Sequence, residues 1–299
     1  MNTPIAFIVF NRPDTTRHVF AEIAKAKPSQ LLIIADGPRQ EAEAVKCAQV
    51  REIVTQVDWP CDVFTNFSDV NLGCCVRIQT GLDWVFEHVE EAIILEDDTL
   101  PDPSFFSFCT ELLARYRDDS RVATIGGCTT VRAPCRYSYR FSHVPFIWGW
   151  ATWRRVWQIA DQEFVGWPNW DAASHNPDPK FKAYWDREFQ GVLSGRLDSW
   201  DYQFLFSHLQ HHWLSVISNT NLITNLGIGI NATNTVRNDY NIPRPGHPMR
   251  FPLTHPPVER DMKTDNLYWR KCLRPQMFPT LWERAKFKAR LIGSRYKSR

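Results

Sequence analysis

Short apolar runs and longer amphipathic stretches alternate along the first 125 residues of the chain. A short uninterrupted apolar run is typical of a strand buried on both faces of a parallel sheet. The stretches between the runs have helical periodicity, and such helices cover the faces of the sheet. The predicted strands are 5–10, 31–35, 62–67, 92–95 and 122–125, and the predicted helices are 14–25, with Asp14 as its cap, 40–55, 74–88 and 104–116. The alternation predicts an α/β fold with a mostly parallel central sheet covered by helices.

The regular alternation ends near residue 126. Segment 145–157 is expected to turn into a helix, and 160–180, rich in Trp, Pro and Asp, is an expected ordered loop. The later predicted elements are helices 180–193 and 199–211 and short strands 216–217 and 222–224. We therefore expect one domain over 1–235, followed by an irregular Pro-rich and basic extension over 236–299 that packs on it or trails from it.

The composition narrows the class of protein. With 299 residues, a net charge of +2 and 23% charged residues, the chain is an ordinary globular protein, and its charge does not favour nucleic-acid binding. No segment approaches the ~20 apolar residues that span a bilayer. The start of the chain lacks the basic stretch of a secretory signal. We therefore expect a cytoplasmic protein whose eight cysteines are reduced.

Polar residues follow several predicted strands directly. Asn11, Asp36 and the triplet Glu96–Asp98 each stand at the carboxyl end of a strand. Ligands of open parallel sheets bind at this edge, so these side chains should converge on one pocket. The sequence therefore predicts a ligand site at the carboxyl edge of the sheet.

The stretch AIILEDDTLPDPSFF (92–106) is the most informative part of that edge. Adjacent carboxylates after a buried strand repel one another and resist the loss of water, so they need a partner. Carboxylates are suitable ligands for Mg²⁺ or Mn²⁺. The alternative is that Asp98 or Asp102 caps the helix that begins near Pro103. We assign the cap to Asp102 and ligand binding to the triplet.

The segment IILEDDTLPDPSFFSFCTELLARYRDD (93–119) resembles the acidic motif of nucleotide-sugar glycosyltransferases with the GT-A fold. It is most similar to the N-acetylglucosaminyltransferase family that starts complex N-glycans, in which an apolar strand runs into Glu-Asp-Asp. Thinner similarity extends over 4–235. The resemblance implies a GT-A domain that transfers a sugar from a nucleotide-diphospho-sugar. The donor that the family comparison implies is a UDP-sugar. The implied acceptor is a hydroxyl of a glycan or lipid-linked molecule, and the implied transfer is inverting and assisted by Mn²⁺ or Mg²⁺.

The resemblance also implies roles for single residues. Asp98 would hold the metal on the diphosphate, Asp97 would meet the ribose or the donor sugar, and Glu96 would meet the donor sugar. Arg12 and Asp36 would contact the base or the phosphates. Many related enzymes have a histidine as second metal ligand, but no His occurs between 213 and 246, so the number of protein ligands stays open.

Two further donor-site positions stay open as well. The family ends its first strand on Asp-Arg, whereas this chain has Asn11 and Arg12, so the identity of the base is not carried over. Arg77, on the helix after NLGCC, is either close to the nucleotide or a solvated arginine on a helix face.

The segment WGWATW (148–153) is similar in position to a Gly-Trp element in the active-site wall of the family. Gly149 permits close approach of the backbone. Trp148 or Trp150 would pack against the face of a sugar. Packing in the core is the alternative for either tryptophan.

The segment LDSWDYQFLF (197–206) is similar to a Trp-Asp-Asp-Trp stretch whose Asp removes the proton from the acceptor hydroxyl. Trp200 and Asp201 match best, so the resemblance implies that Asp201 is the catalytic base. The alternative needs no chemistry: Asp198 caps the helix, and Asp201 in its first turn interacts with the helix dipole.

Three features lie outside this scheme. His208 and His212 have the i, i+4 spacing of zinc ligands, but no third ligand accompanies them, which favours an ordinary helix. The loop 227–234 is expected to close over the donor. The basic tail 284–299 is either a peripheral helix on an anionic membrane or a tail without structure.

Two other functions use the same residues. A metal-dependent phosphohydrolase would use the carboxylates, and a non-catalytic carbohydrate-binding protein would use the aromatic side chains. A phosphohydrolase needs a nucleophilic Asp or bridging His ligands near a strand end, and the sequence has no recognisable set of this kind.

Overall fold

The structure, a computed structural model, describes residues 1–131, 133–227 and 244–280. The strands are β1 Ile5–Val9, β2 Gln30–Ala35, β3 Asp62–Phe67, β4 Glu91–Glu96, β5 Thr99–Pro101, β6 Val122–Gly126, β7 Tyr139–Ser142, β8 Trp150–Trp153, β9 Leu214–Ser218 and β10 Ile223–Asn225. The helices are α1 Pro13–Ala26, α2 Glu41–Thr55, α3 Cys74–His88, α4 Ser104–Tyr116, α5 Arg154–Trp157, α6 Pro179–Leu193, α7 Asp201–Gln210, α8 Met262–Tyr268 and α9 Arg274–Met277, with a 3₁₀ turn at Ala172–Ser174 and a π-helical turn at Trp269–Leu273.

Eight strands form one sheet in the order β3-β2-β1-β4-β8-β6-β9-β7. The first four are parallel, as are β6 and β9. β8 runs antiparallel between β4 and β6, and β7 closes the edge antiparallel to β9. This confirms the predicted α/β class, a mostly parallel central sheet covered by helices. The strand order changes direction at β1, because β2 and β3 lie on one side of it and β4 lies on the other. Ligands of such sheets bind in the crevice at that point.

The main core lies on both faces of the central strands. Every residue of β1 is buried, and so are the four inner residues of β4. Helix α4 packs Phe105, Phe108 and Leu112 into the same core. Because a buried Phe or Leu contributes about 1.5–3 kcal/mol, this packing fixes the positions of the strand ends and hence of the site.

A second cluster of aromatic residues, which we call the aromatic cluster, lies beside the main core. Its members come from α6, α7, the loop between α5 and α6, and the π-helical turn. Phe189 and Phe206 are fully buried in it, with their ring centroids 5.4 Å apart and the rings edge to face. The cluster gives the Trp-rich segment before α6 its fixed course.

Several predicted bounds are confirmed, and others are wrong. The bounds of β3, α3 and α4 are those predicted. Asp14 is not a cap, because α1 begins at Pro13 and Asp14 lies within its first turn. Residues 150–153 form strand β8 rather than the entry to a helix, since they pair with β4 and β6, and α5 begins only at Arg154.

The remaining expectations concern the ends of the described ranges. The proposed boundary at residue 235, the rest of the loop after Gly227 and the basic tail lie outside the described residues. Residues 244–280 pack on the sheet edge, where the Oγ of Ser142 donates to Asp265 at 2.6 Å. Within the described part of the chain, no helix is long and apolar enough to cross a membrane. The eight cysteines are free thiols.

Candidate active site

The acidic triplet lies where β4 ends beside β1, with Glu96 in register with Ile8. The backbone N–H of Phe10 donates to Asp97 Oδ2 at 3.1 Å. Arg12 Nη1 donates to Asp97 Oδ1 at 3.2 Å and to Asp98 Oδ2 at 2.6 Å. The residues that directly follow β1 therefore supply one cation and one amide to the acidic turn.

Burial raises the pKa of each of the three carboxyls in this turn. The negative charge of Asp98 raises the pKa of Glu96 and Asp97 further, whereas Arg12 acts in the opposite direction on all three. Among the described residues, one guanidinium bonds two of the three carboxyls, and Asp97 is buried while Glu96 and Asp98 are partly exposed. Such a cluster of carboxyls has the chemistry to bind a cation.

The small sheet of β5 and β10 brings a distant segment to the same turn. β5 directly follows the triplet and pairs antiparallel with β10, with Asn225 opposite Thr99. The N–H of Leu226 then donates to the Asp98 carbonyl at 2.7 Å. A Cβ on Gly227 would lie 2.0 Å from Asp98 Oδ2, so a larger residue there would displace the Asp98 carboxylate. The packing fixes the position of the Asp98 carboxylate.

A cavity of about 280 Å³ opens at this edge of the sheet. Eight of the ten residues predicted for the site line it: Arg12, Asp36, Arg77, Glu96, Asp97, Asp98, Trp148 and Asp201. The volume is that of a small-molecule site, although at the lower end of the usual range. The structure therefore brings together residues from β1, β2, α3, β4 and α7 around one pocket.

Asp36 and Arg77 lie on the β2–β3 side of the cavity. Asp36 is buried, and its carboxylate accepts the N–H groups of Gly37 and Leu72 and the amide of Asn71, each at 2.9 Å. These bonds hold the loop that follows β3. The alternative in which Arg77 is a solvated arginine on a helix face is wrong, because its side chain is buried.

The Arg77 side chain is buried and reaches under the end of β3. Its Nη2 donates to the carbonyl of Asn66 at 2.5 Å and to the Asn66 side chain at 2.8 Å. Neither bond neutralises the guanidinium, and burial lowers the Arg77 pKa. In the described part of the chain no carboxylate forms an ion pair with Arg77, although the charge of Asp36 acts on it. A cation placed in this way at a cavity wall is suited to an anionic group such as a phosphate.

Asp201 also lines the cavity, as the first residue of α7. The Ser199 hydroxyl donates to its carboxylate. Burial raises the pKa of Asp201, and its charge contributes to the raised pKa of Glu96, so the two carboxyls are close. A buried carboxyl with a raised pKa is a suitable proton acceptor.

The alternative in which Asp198 caps α7 is wrong. Trp200 occupies the cap position without a side-chain bond. Asp198 instead accepts the N–H groups of Cys74 and Cys75, at 3.0 and 2.9 Å, at the start of α3. Asp198 therefore joins the segment before α7 to the helix that carries Arg77, two walls of one cavity.

The three residues of the predicted Trp wall separate in the structure. Trp148 lines the cavity. Trp150 is 1% exposed and stacks on Trp200 with ring centroids 5.6 Å apart, so it belongs to the core beneath the cavity. Gly149 has φ +65°, and a Cβ there would lie 2.3 Å from Ile223 Cδ1. Gly149 thus permits close packing against β10 rather than contact with a ligand.

Sequence reasoning missed several residues of the cavity wall. The missed residues are Arg39, Asn71, Cys74, Asp198, Trp200 and Asn225. Arg39 ends the DGPR turn after β2, so the expectation that polar residues after a strand line the ligand site could have identified it. Asn225 reaches the site only through the pairing of β5 with β10. Burial raises the pKa of Cys74, as do Glu96, Asp198 and Asp201, so its thiol is not a nucleophile.

Comparison with known proteins gives only distant likenesses. No protein-family model and no curated protein sequence matches the chain. S. aureus TarS 1-349 has a TM-score of 0.44 at 8% identity, with 75% of this chain and 60% of that one covered. The 4-diphosphocytidyl-2C-methyl-D-erythritol synthase from Anaerococcus prevotii DSM 20548 has a TM-score of 0.33 at 7% identity, with 68% and 83% covered.

A UDP-glucose pyrophosphorylase in complex with UDP-glucose has a TM-score of 0.28 at 11% identity, with 49% of this chain and 64% of that one covered. The chain spans less than two thirds of this enzyme and of the TarS fragment. Likenesses this distant carry no inference about function, which has to be argued from the site.

Proposed function

We propose that the protein is a glycosyltransferase that moves a sugar from a nucleotide-diphospho-sugar to an acceptor hydroxyl. The observation that carries the proposal is the single cavity in which a buried acidic turn lies close to a second carboxyl with a raised pKa, Asp201. Displacement at an anomeric carbon needs these two elements: a place that stabilises the leaving diphosphate and a base that activates the acceptor.

The carboxylate oxygens of the acidic turn are suitable ligands for a divalent metal ion at Asp98. The turn carries three carboxyls, of which Arg12 bonds two in the described part of the chain, and a divalent cation would supply further positive charge. Mg²⁺ and Mn²⁺ commonly bind one or two carboxylates together with the phosphates of a substrate, so one aspartate is enough. When bound, such an ion neutralises the charge of a departing diphosphate.

The side chains of the protein divide the rest of the work. Arg12 and Arg77 hold the phosphates, Asp36 with Asn71 lies at the position of the nucleotide base, and Glu96 with Asp97 contacts the ribose or the donor sugar. Trp148 offers an aromatic face to a sugar. A UDP-sugar donor follows from the family resemblance alone, and so does a glycan or lipid-linked acceptor.

Asp201 acts as the base in this scheme. Its carboxylate accepts the proton of the acceptor hydroxyl as that oxygen bonds to the anomeric carbon and the bond to the diphosphate breaks. Ser199 orients the carboxylate through its hydrogen bond. Burial strengthens the carboxylate as a base, because it raises the Asp201 pKa.

Release of nucleoside diphosphate from a panel of nucleotide sugars, with and without Mn²⁺, tests the proposal. Asp98→Ala should abolish metal-dependent release, and Asp201→Asn should keep nucleotide binding while kcat falls about 10²–10⁴-fold. Asp102→Ala is the matched control, because Asp102 Oδ1 lies outside the cavity lining and accepts the N–H and the hydroxyl of Ser104, at 2.9 and 2.6 Å. It should lose about 1 kcal/mol of stability and keep its turnover.

The products and binding data separate the rival functions. Release of inorganic phosphate would contradict the proposal in favour of a phosphohydrolase. Nucleotide-sugar binding without turnover under every metal condition would contradict it in favour of a carbohydrate-binding protein.

A further inference from the structure

Three histidines from distant parts of the chain meet beside the aromatic cluster. His143 follows β7, His175 follows the 3₁₀ turn, and His212 follows α7. One ring nitrogen of each lies within 4.8 Å of the other two. Across residues 1–131, 133–227 and 244–280, no other three His, Cys, Asp or Glu residues bring their ligand atoms so close. None of the three lines the candidate active-site cavity, so the cluster is a separate feature.

The spacing of the rings is close to that of a coordinated set. His143 Nδ1 and His175 Nδ1 are 2.9 Å apart, whereas two nitrogens on one tetrahedral zinc are about 3.3 Å apart, given Zn–N bonds of about 2.0–2.1 Å. The His175 and His212 rings are stacked at 4.8 Å between centroids. His212 is exposed, so its ring can rotate toward a shared ion without displacing the core.

Core packing explains two of the histidines but not the third. The buried His143 and His175 share one hydrogen bond, which satisfies both Nδ1 atoms. His212 has φ +52°, a left-handed conformation that is uncommon for a residue other than glycine. Its backbone therefore holds an exposed imidazole over a pair that has no need of it for burial or hydrogen bonding.

The structure separates His208 and His212, the two histidines whose i, i+4 spacing is that of zinc ligands. His208, the i, i+4 neighbour of His212, is fully buried, and its Nδ1 lies 2.9 Å from the Phe204 carbonyl. His212 leaves the helix at its C-terminal end and joins residues 69 and 37 positions earlier in the chain. The missing ligands thus come from β7 and from the loop before α6, not from α7.

We propose that His143, His175 and His212 form a second metal site, which binds a borderline transition-metal ion such as Zn²⁺ with water in the fourth position. Imidazole nitrogens select Zn²⁺ and its neighbours over Mg²⁺, which prefers oxygen ligands, so this site and the acidic turn differ in the metal they take. The ion ties the sheet edge at β7 and the loop before α6 to the end of α7. It therefore fixes the helix whose first residue is Asp201.

The surroundings suit a neutral imidazole set. Burial lowers the pKa of His143 to about 3 and of His175 to about 4, so both rings keep a lone pair at neutral pH. The nearby Arg260 adds positive charge, but its Nε donates to Asp265 at 2.6 Å. A backbone hydrogen bond with Leu209 acts on His175, and such a bond to the second nitrogen orients a ligating imidazole.

Zinc binding by the full chain tests this site without any measurement of activity. Calorimetry with Zn²⁺, visible absorption of the Co²⁺ complex, and Tm with and without Zn²⁺ should all show one site in the wild type. His212→Asn should weaken Zn²⁺ binding about tenfold or more and remove the Tm rise. Asparagine tolerates the left-handed backbone, so this variant should fold.

Two matched variants control for other histidines and for the acidic turn. His211→Asn changes an exposed neighbour that stacks on Trp213 at 4.5 Å, and it should bind Zn²⁺ like the wild type. Asp98→Ala should also keep Zn²⁺ binding, whatever its effect on turnover. The proposal is overturned if the wild type binds no Zn²⁺, if His212→Asn binds it as tightly as the wild type, or if Asp98→Ala abolishes the binding.

Discussion

Arg12 is the counter-charge of the acidic turn, and its removal should destabilise the fold in a way that a metal ion reverses. Its side chain is 26% exposed, and those of Asp97 and Asp98 are 8% and 15% exposed. Among the described residues, Arg12→Gln leaves both carboxylates without an ion-pair partner. Breaking a buried ion pair on one side costs about 3–5 kcal/mol. Because water reaches part of Arg12, the lower end, about 3 kcal/mol, is expected.

The assay is thermal or urea unfolding with and without Mn²⁺. A loss of about 3 kcal/mol lowers Tm by about 6–12 °C, on the scale of 2–4 °C per kcal/mol for chains of this size class. Mn²⁺ should restore part of the loss in Arg12→Gln, since the ion supplies the missing positive charge. It should restore none in the double variant Arg12→Gln/Asp98→Ala, which lacks the ligand.

Arg17→Gln is the matched control on the same helix. Arg17 lies 3.8 Å from Asp14, and the two side chains are 63% and 98% exposed, so this pair contributes no measurable stability. The reasoning is refuted if Arg12→Gln and Arg17→Gln unfold alike without metal. A wild-type chain that Mn²⁺ does not stabilise would refute the metal part alone.

The other predictions concern the nucleotide side, the base and the packing of the wall. Arg77→Met should raise the Kd for a nucleoside diphosphate about tenfold or more, as loss of a charge-assisted hydrogen bond does; an unchanged Kd in a titration would leave Arg77 a purely structural role. The kcat of the wild type should rise with pH as Asp201 ionises, and the midpoint should lie above the ordinary aspartate range because burial raises that pKa; a pH–rate profile that is flat there would contradict a base at Asp201. Gly149→Ala should lose about 1–3 kcal/mol in urea unfolding, because its Cβ would overlap Ile223 at φ +65°; a smaller loss would mean that β10 yields.

The first half of the fold was predictable because its signals are local. Helices α3 and α4 begin after turn residues, SDVNLG and PDP, and their apolar periodicity runs without interruption to their ends. β8 was missed because its evidence is not local. The strand exists through pairing with β4 and β6, which both lie more than 20 residues earlier in the chain.

The candidate site also contains residues that the sequence predicts and residues that only the folded chain brings together. The sequence predicts that Arg12, Asp36 and the acidic triplet lie close together, because the carboxyl ends of parallel strands share one edge of the sheet. The alternative in which Asp198 caps α7 considered only nearby partners, whereas the N–H groups that it accepts, those of Cys74 and Cys75, lie more than 120 residues earlier. The three histidines have no common spacing, so only the folded chain shows that they meet.

Burial of Asp201 has opposite effects on activity and on stability. Its raised pKa means that the folded chain binds the proton more tightly than the unfolded chain does. The contribution of Asp201 to stability is therefore full below the ordinary aspartate pKa and is lost as pH rises through the raised value. Above the raised pKa the charged base costs stability, and the same cost makes the carboxylate a stronger proton acceptor. Asp201→Asn, which removes the charge but keeps the shape, should then unfold at a higher Tm than the wild type above that pKa and at a similar Tm below it. An equal Tm at every pH would mean that the carboxylate is already compensated, and the argument for a buried base would fail.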